Sequence, residues 1–162
     1  MEQIDRLCDL LSEETRVCAA LSEVLREEQA AVVRLEAARI LVCLEQRQAL
    51  QDQLARLAGE RRALVRTVAA GHGAETDRAT EVLPLLPPAP RARVREGVRR
   101  LRAALLEARG LERQHTLLVG SSLDMVNELL RVLRAHVPGA RYGADAQVTM
   151  PPAAAERVSE RA

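Results

Sequence analysis

The chain has 162 residues, a formal net charge of +1 and a single aromatic side chain, Tyr142. Hydrophobic residues, mostly Leu, Ala and Val, make up 48% of the chain and charged residues 29%, a composition typical of long helices or coiled coil and unlike that of a sheet protein. Without Phe or Trp, a compact multilayer core would be hard to fill. We therefore expect an all-α fold built from elongated pairs of helices.

Neither a membrane span nor a metal or redox site is indicated. No run of about 18 apolar residues occurs, and the N-terminus lacks the basic start and apolar centre of a signal peptide. We expect a cytoplasmic protein without direct membrane insertion. Cys8, Cys18 and Cys43 show neither CxxC spacing nor a companion His cluster, which favours buried reduced thiols. No metal and no cofactor are predicted.

The first part of the chain has the pattern of one long helix. From Ile4 to about Val68 there is no Pro and only Gly59, and apolar residues recur at steps of three and four. A helix over about 4–68 with such a narrow apolar stripe needs a partner helix to be stable. Polar residues interrupt the stripe, and they either fix its register or mark a local break. They are Glu14, Glu28, Arg39, Arg47 and Arg61.

A connection over 69–90 separates this helix from a second one. Four prolines between residues 84 and 90 stop regular structure, and a short helix is expected near 75–83. The second long helix is predicted from about 90 to 137, because proline suits the first turn of a helix. We therefore predict one helical domain over 1–137, an antiparallel hairpin or coiled coil of two long helices with the short helix at the bend, and a flexible, disordered tail over 138–162.

The last helix carries two adjacent apolar stripes from Leu118 onward. They cover about half of its circumference at about 100° per residue. Two neighbours in the same chain could cover both stripes, as in a three-helix bundle, or part of the surface could bind an amphipathic partner helix. We favour the second interpretation, because a helix over 4–68 leaves only one other long helix. The stripes are Leu118, Ser122, Met125, Leu129 and Val132, and Val119, Leu123, Val126, Leu130, Leu133 and Val137.

Other classes of function have weaker support. Gly120-Ser121-Ser122 lacks the second glycine of a nucleophile elbow, so no catalytic residues and no enzyme activity are predicted. Nucleic acid is not expected as a partner, since there is no aromatic residue to stack bases beside the arginines. A generic coiled-coil scaffold or a homo-oligomeric adaptor remains the alternative. The arginines in question are Arg91, Arg93, Arg95, Arg99, Arg100 and Arg102.

The C-terminal part resembles one known family. The run Leu118-x-x-Ser121-Ser122-Leu123-x-x-Val126-Asn127-x-Leu129-Leu130-x-x-Leu133, followed by a break and Tyr142-Gly143, is similar to the signature of the FlgN-type flagellar export chaperones. Spaced Leu and Glu residues in the first helix also resemble the family pattern. The resemblance covers residues 1 to about 148.

This resemblance implies a function and assigns residues to it. Members of the family escort hook-filament junction (hook-associated) proteins to the flagellar type III export apparatus by binding their C-terminal helical segment, which prevents premature assembly. Tyr142 is then expected to contact the cytoplasmic domain of the export gate, FlhA. The expected client-binding residues are Leu118, Val119, Leu123, Met125, Val126, Leu129, Leu130 and Leu133.

Overall fold

A computed structural model of the protein describes residues 2–133 and the backbone of 134–136, 141–142 and 148–149. The predicted all-α fold, with long helices and a short helix at the connection, is confirmed. Two-residue strands β1 and β2 pair antiparallel, with Tyr142 opposite Val148. The rest of the predicted tail over 138–162 lies outside the described residues. The elements are α1 (Glu2–Val33), α2 (Ala37–Ala70), α3 (Ala79–Val82), a 3₁₀ turn (Leu83–Leu85), α4 (Pro88–His136), β1 (Arg141–Tyr142) and β2 (Val148–Thr149).

The chain divides into two compact units, Met1–Val119 and Gly120–Ala162. The first unit contains α1, α2, α3 and the first part of α4, and the second contains the remainder of α4 and both strands. None of the helices in the described part of the chain combines the length and apolar character needed to cross a membrane.

The prediction of one helix over about 4–68 is wrong, because the chain reverses between Val33 and Ala37. Leu35 adopts a left-handed backbone with φ of 58°. The N–H of Glu36 donates to the carbonyl oxygen of Ala31 at 2.9 Å, a bond spanning five residues that closes a helix in the Schellman manner. Glycine usually occupies the left-handed position in this motif. With leucine there, neither Gly nor Pro marks the break in the sequence.

Four of the five polar residues that interrupt the apolar stripe pair with one another across the α1–α2 hairpin, and the fifth, Arg39, pairs with Glu27. Arg61 Nε donates to Glu14 Oε1 at 2.7 Å, and Arg47 Nη1 lies 3.1 Å from Glu28 Oε2. The 14 residues from Glu14 to Glu28 match the 14 from Arg61 back to Arg47, as antiparallel helices require. Burial raises the pKa of the Glu14 carboxyl, and the hydrogen bond from Arg61 opposes that shift. The interruptions therefore fix the register of the hairpin.

Within the first unit, α4 packs against this hairpin to form a three-helix bundle. Its residues Val94, Leu101 and Ala108, seven positions apart, are buried. Gly97 permits close approach, since a Cβ there would lie 3.0 Å from Leu11 Cδ1. The main hydrophobic cluster draws on all three long helices and on the connection. Its buried members are Leu7, Leu11, Cys18, Val65, Val68, Ala69, Ala79, Val82, Leu86, Val94 and Leu101.

The connection contributes to the core rather than merely joining two helices. Val82 and Leu86 are buried in the main cluster. The next helix, α4, begins at Pro88, two residues before the predicted start. The first turn of a helix tolerates proline, because backbone N–H groups at these positions have no acceptor within the helix and their loss costs little. Cys18 and Cys43 are buried and Cys8 is half-buried, and burial raises the pKa of the Cys18 thiol to about 11.

Candidate functional site

The final turns of α1 contact α4 at Leu111 and His115. Gln29 Nε2 donates to the carbonyl oxygen of Leu111 at 3.1 Å, and His115 Nε2 lies 3.2 Å from Glu28 Oε1. His115 is buried, and it continues the seven-residue spacing of Val94, Leu101 and Ala108. These contacts stand at the C-terminal end of α1, which closes at Val33.

Beyond residue 120, α4 presents a continuous set of exposed apolar side chains. Six of the eight predicted client-binding residues lie here, and each is between 40% and 63% exposed. Monomeric proteins rarely leave a contiguous apolar surface of this kind in water unless it binds something. We call this surface the apolar face, and its members are Leu123, Met125, Val126, Leu129, Leu130 and Leu133.

Helical geometry places these six side chains on one half of the helix. At about 100° per residue, the positions from Met125 around to Leu123 span about 160°. The other half carries polar and charged residues, and there Arg131 Nη2 donates to Glu128 Oε1 at 2.8 Å. The result is an amphipathic helix whose polar side suits water and whose apolar side suits a partner helix.

The other two predicted client-binding residues have a different environment. Leu118 and Val119 are half-buried, and both belong to the first compact unit. Leu117 and Val132 were left out of the predicted set, although they are 73% and 45% exposed. The sequence argument for this site assumed that the chain has only two long helices. That assumption is wrong, because the described residues contain three long helices, α1, α2 and α4. The assignment of the apolar face to client binding stays a prediction.

Tyr142, the predicted gate contact, lies in β1, where its backbone pairs with Val148. Its side chain lies outside the described residues. Its role in docking therefore stays a prediction that rests on the resemblance.

The arginines considered for nucleic-acid binding are mostly engaged within the bundle. Arg93 Nη1 donates to Asp5 Oδ1 at 2.7 Å, and Arg91 donates to the carbonyl oxygens of Pro84 and Leu86. Arg99 and Arg100 both bind Glu96, and these bonds lower the pKa of that carboxyl to about 2. Four of the six arginines thus have structural partners. Among the described residues, no cluster of His, Cys, Asp and Glu could hold a metal ion.

Comparison with known proteins identifies the family. Residues 1–149 match the sequence model of the FlgN family, described as FlgN protein. No curated protein and no solved structure matches the chain. The family match covers α1 to α4 and both strands, so it includes the apolar face and the position of Tyr142. The chain therefore belongs to the FlgN family of flagellar export chaperones.

Proposed function

We propose that this protein is a cytoplasmic type III export chaperone that binds the C-terminal helical segment of hook-filament junction proteins through α4. Binding would keep the client from assembling prematurely, and the complex would then dock on the cytoplasmic domain of the export gate, FlhA, with Tyr142 in the contact. The observation that carries the proposal is the exposed apolar face of Leu123–Leu133.

The chemistry of this face suits an amphipathic client helix. Its side chains are aliphatic or thioether, and such flexible, apolar surfaces accept helices with apolar residues at steps of three and four. Burying this apolar area favours association by about 25 cal/mol per Å² of apolar surface removed from water, before the entropic cost of association. Leu118 and Val119, both half-buried, are proposed as further client contacts.

The test replaces two central residues of the face with aspartate. Val126→Asp with Leu130→Asp should abolish binding of the C-terminal segment of a junction protein in calorimetry, because two carboxylates would be buried without partners. Asn127→Asp with Arg131→Gln is the matched control, since it adds the same net negative charge on the polar side of α4. Helix content by circular dichroism should stay unchanged in both. Unimpaired binding by the aspartate pair contradicts the proposal.

The role proposed for Tyr142 needs a separate readout. Tyr142→Ala should leave client binding unchanged and weaken binding of the chaperone–client complex to the cytoplasmic domain of FlhA. Tyr142→Phe serves as the control, because it keeps the ring and removes only the hydroxyl. Loss of both interactions, or of neither, contradicts an assignment of Tyr142 to the gate.

The exposed face also leaves a scaffold or homo-oligomeric adaptor as the competing function. Two copies could pair through the same leucines, since an apolar helix face is self-complementary in chemistry. Light scattering with and without a client peptide distinguishes the two. A chaperone should form a one-to-one complex with the peptide, whereas a tight homodimer indifferent to the peptide favours the adaptor.

A further inference from the structure

The first compact unit contains a second apolar surface, an open groove of about 450 Å³ between α1, α2, the segment before α3 and α4. Its floor is formed by leucines and a valine that rim the bundle core. Leu106 is 59% exposed in the groove, so a binding partner could contact its apolar side chain without any rearrangement of the bundle. The floor residues are Leu11, Val98, Leu101, Leu105 and Leu106.

The charged residues around this groove are almost all basic. Five arginines line it, and Asp77 is its one carboxylate. Three of the arginines have partners: Arg61 binds Glu14, Arg78 Nη1 lies 3.3 Å from Glu81 Oε1, and Arg62 donates to a backbone carbonyl of its own helix. The remaining two, Arg102 and Arg109, form no ion pair and no side-chain hydrogen bond within the described residues. The rim therefore carries uncompensated positive charge.

We propose that this groove docks an acidic amphipathic helix of another protein. Arg102 and Arg109 lie seven residues apart on α4, about 10 Å along its axis, with Leu106 between them. Glutamates two turns apart on the bound helix would match the two guanidinium groups, and a leucine between them would contact Leu106 and the other floor residues. Arginine suits this role because its planar fork binds carboxylates in a bidentate manner.

The shape of the groove favours a peptide over the other anionic partners. A concave apolar floor accepts inserted side chains, whereas a lipid surface would require a convex or flat basic face. Single-stranded nucleic acid would need aromatic side chains for base stacking, and the lining contains none. All lining residues belong to Met1–Val119, so the docking does not rest on the proposed function of the apolar face of Leu123–Leu133.

The test uses a fluorescent peptide of about 18 residues, with leucine at steps of three and four, two glutamates seven residues apart beside them, and alanine and glutamine elsewhere, because glutamate at every polar position would oppose the helix by like-charge repulsion. The full-length chain carries Val126→Asp and Leu130→Asp in every arm, which removes the apolar face of α4 as a competing site. In this background the peptide should bind, and Arg102→Glu with Arg109→Glu should weaken binding at least about tenfold. Leu106→Gln should weaken it several-fold.

The matched control reverses two arginines elsewhere. Arg16 and Arg56 are exposed, form no ion pair in the described part of the chain and lie outside the groove. Arg16→Glu with Arg56→Glu changes the net charge equally, so it should leave binding within about twofold if the site is local. An equal loss in this control would show that net charge alone drives binding and would overturn the proposal.

Three further arms also decide the question. A peptide with every glutamate replaced by glutamine should bind at least about tenfold more weakly, and equal binding overturns the role of charge. Oligothymidylate of similar charge should not compete, and effective competition reassigns the groove to polyanions. Vesicles with anionic lipid should not bind, and binding lost in Arg102→Glu with Arg109→Glu reassigns the groove to membranes. No binding of the acidic peptide at all overturns the proposal.

Discussion

The two parts of α4 use the same sequence pattern differently. In the first unit, every seventh residue from Val94 through Leu101 and Ala108 to His115 is buried against other helices. The same spacing continues in the sequence through Ser122 to Leu129, yet Leu129 is 55% exposed. An apolar pattern therefore predicts that a helix face will be covered but does not identify what covers it. In the first unit, other helices of the same chain cover this face of α4. Beyond Gly120, we propose that a client protein covers it.

A second series of positions shows the complementary change. Arg102 and Arg109 rim the groove of the first unit, and the same seven-residue spacing leads to Thr116, Leu123 and Leu130. Charge thus gives way to leucine where α4 passes from one unit to the other. The difference favours two surfaces of different chemistry on a single helix.

The largest expected effect comes from truncating equivalent leucines in the two parts. Leu101→Ala should lower the free energy of unfolding by about 2–4 kcal/mol, because it opens a cavity in the main cluster. Leu129→Ala should change it by less than about 0.5 kcal/mol, because the side chain is already exposed. Urea denaturation followed by circular dichroism measures both. Helix propensity is changed equally, so it cancels in the comparison.

This pair of variants also separates stability from binding. Leu129→Ala should weaken client binding, while Leu101→Ala, measured well below its melting temperature, should bind with unchanged stoichiometry. Similar losses of stability in the two variants would mean that Leu129 is covered within the free protein, and the contrast between the two parts of α4 would then fail.

Smaller effects are expected from the glycines of α4. Gly110→Ala should stabilise the protein by about 0.5–1 kcal/mol through helix propensity, because within the described residues nothing lies within 4 Å of the added Cβ. Gly97→Ala should stabilise the protein less than Gly110→Ala, or destabilise it, because the added Cβ would lie 3.0 Å from Leu11 Cδ1 and 3.2 Å from Leu11 Cβ. Thermal melts of both variants test the difference. Equal stabilisation would show that α4 is not packed closely on α1 at Gly97.

The smallest effects are expected in the pH dependence of unfolding. Burial raises the pKa of Glu14 above 4.5. The stability that this shift contributes is therefore fully present below pH 4.5 and is lost as the pH rises through the raised pKa. The stability of the wild type relative to Glu14→Gln should therefore fall as the pH rises from 4.5. The pKa of Glu96 is lowered to about 2. The free energy of unfolding of the wild type, relative to that of Glu96→Gln, should therefore increase as the pH rises from 2 to 4.5.

The two variants should thus change in opposite directions and in different pH ranges. The Glu96 effect should be slight, because solvent screens an exposed ion pair. Denaturant titrations at several pH values give both differences. A difference between wild type and Glu14→Gln that does not change above pH 4.5 would contradict the burial of the Glu14 charge.

Much of the fold follows from the sequence, but the hairpin turn did not. Helical spacing and the scarcity of aromatics predict the all-α class, and the prolines before residue 90 predict the start of α4 to within two residues. The break at Leu35 was missed because its left-handed conformation is held by backbone bonds to Ala31 and Val32 rather than by a glycine. The equal spacing of Glu14 and Glu28 against Arg61 and Arg47 was the available signal for it.

The apolar face could be predicted because it lies on one continuous helix. Periodicity alone selects Leu123, Val126 and Leu130 as members of one face, and their exposure agrees with that selection. The groove could not be found in this way. Its lining combines Arg62, Asp77 and Arg109, which are far apart in sequence, and only the packing of α2 and the connection on α4 brings them together.

The paired charges of the hairpin also exclude alternative alignments of α1 and α2. A slip of seven residues preserves which faces meet, so apolar packing alone would tolerate it. It would, however, set the buried Glu14 opposite Leu54 or Val68, and Glu28 opposite Ile40 or Leu54, in place of their arginines. A buried carboxylate without its partner costs about 3–5 kcal/mol, a large fraction of the total stability of a small domain. The hairpin is thus expected to fold into one alignment even though its leucines would accept several.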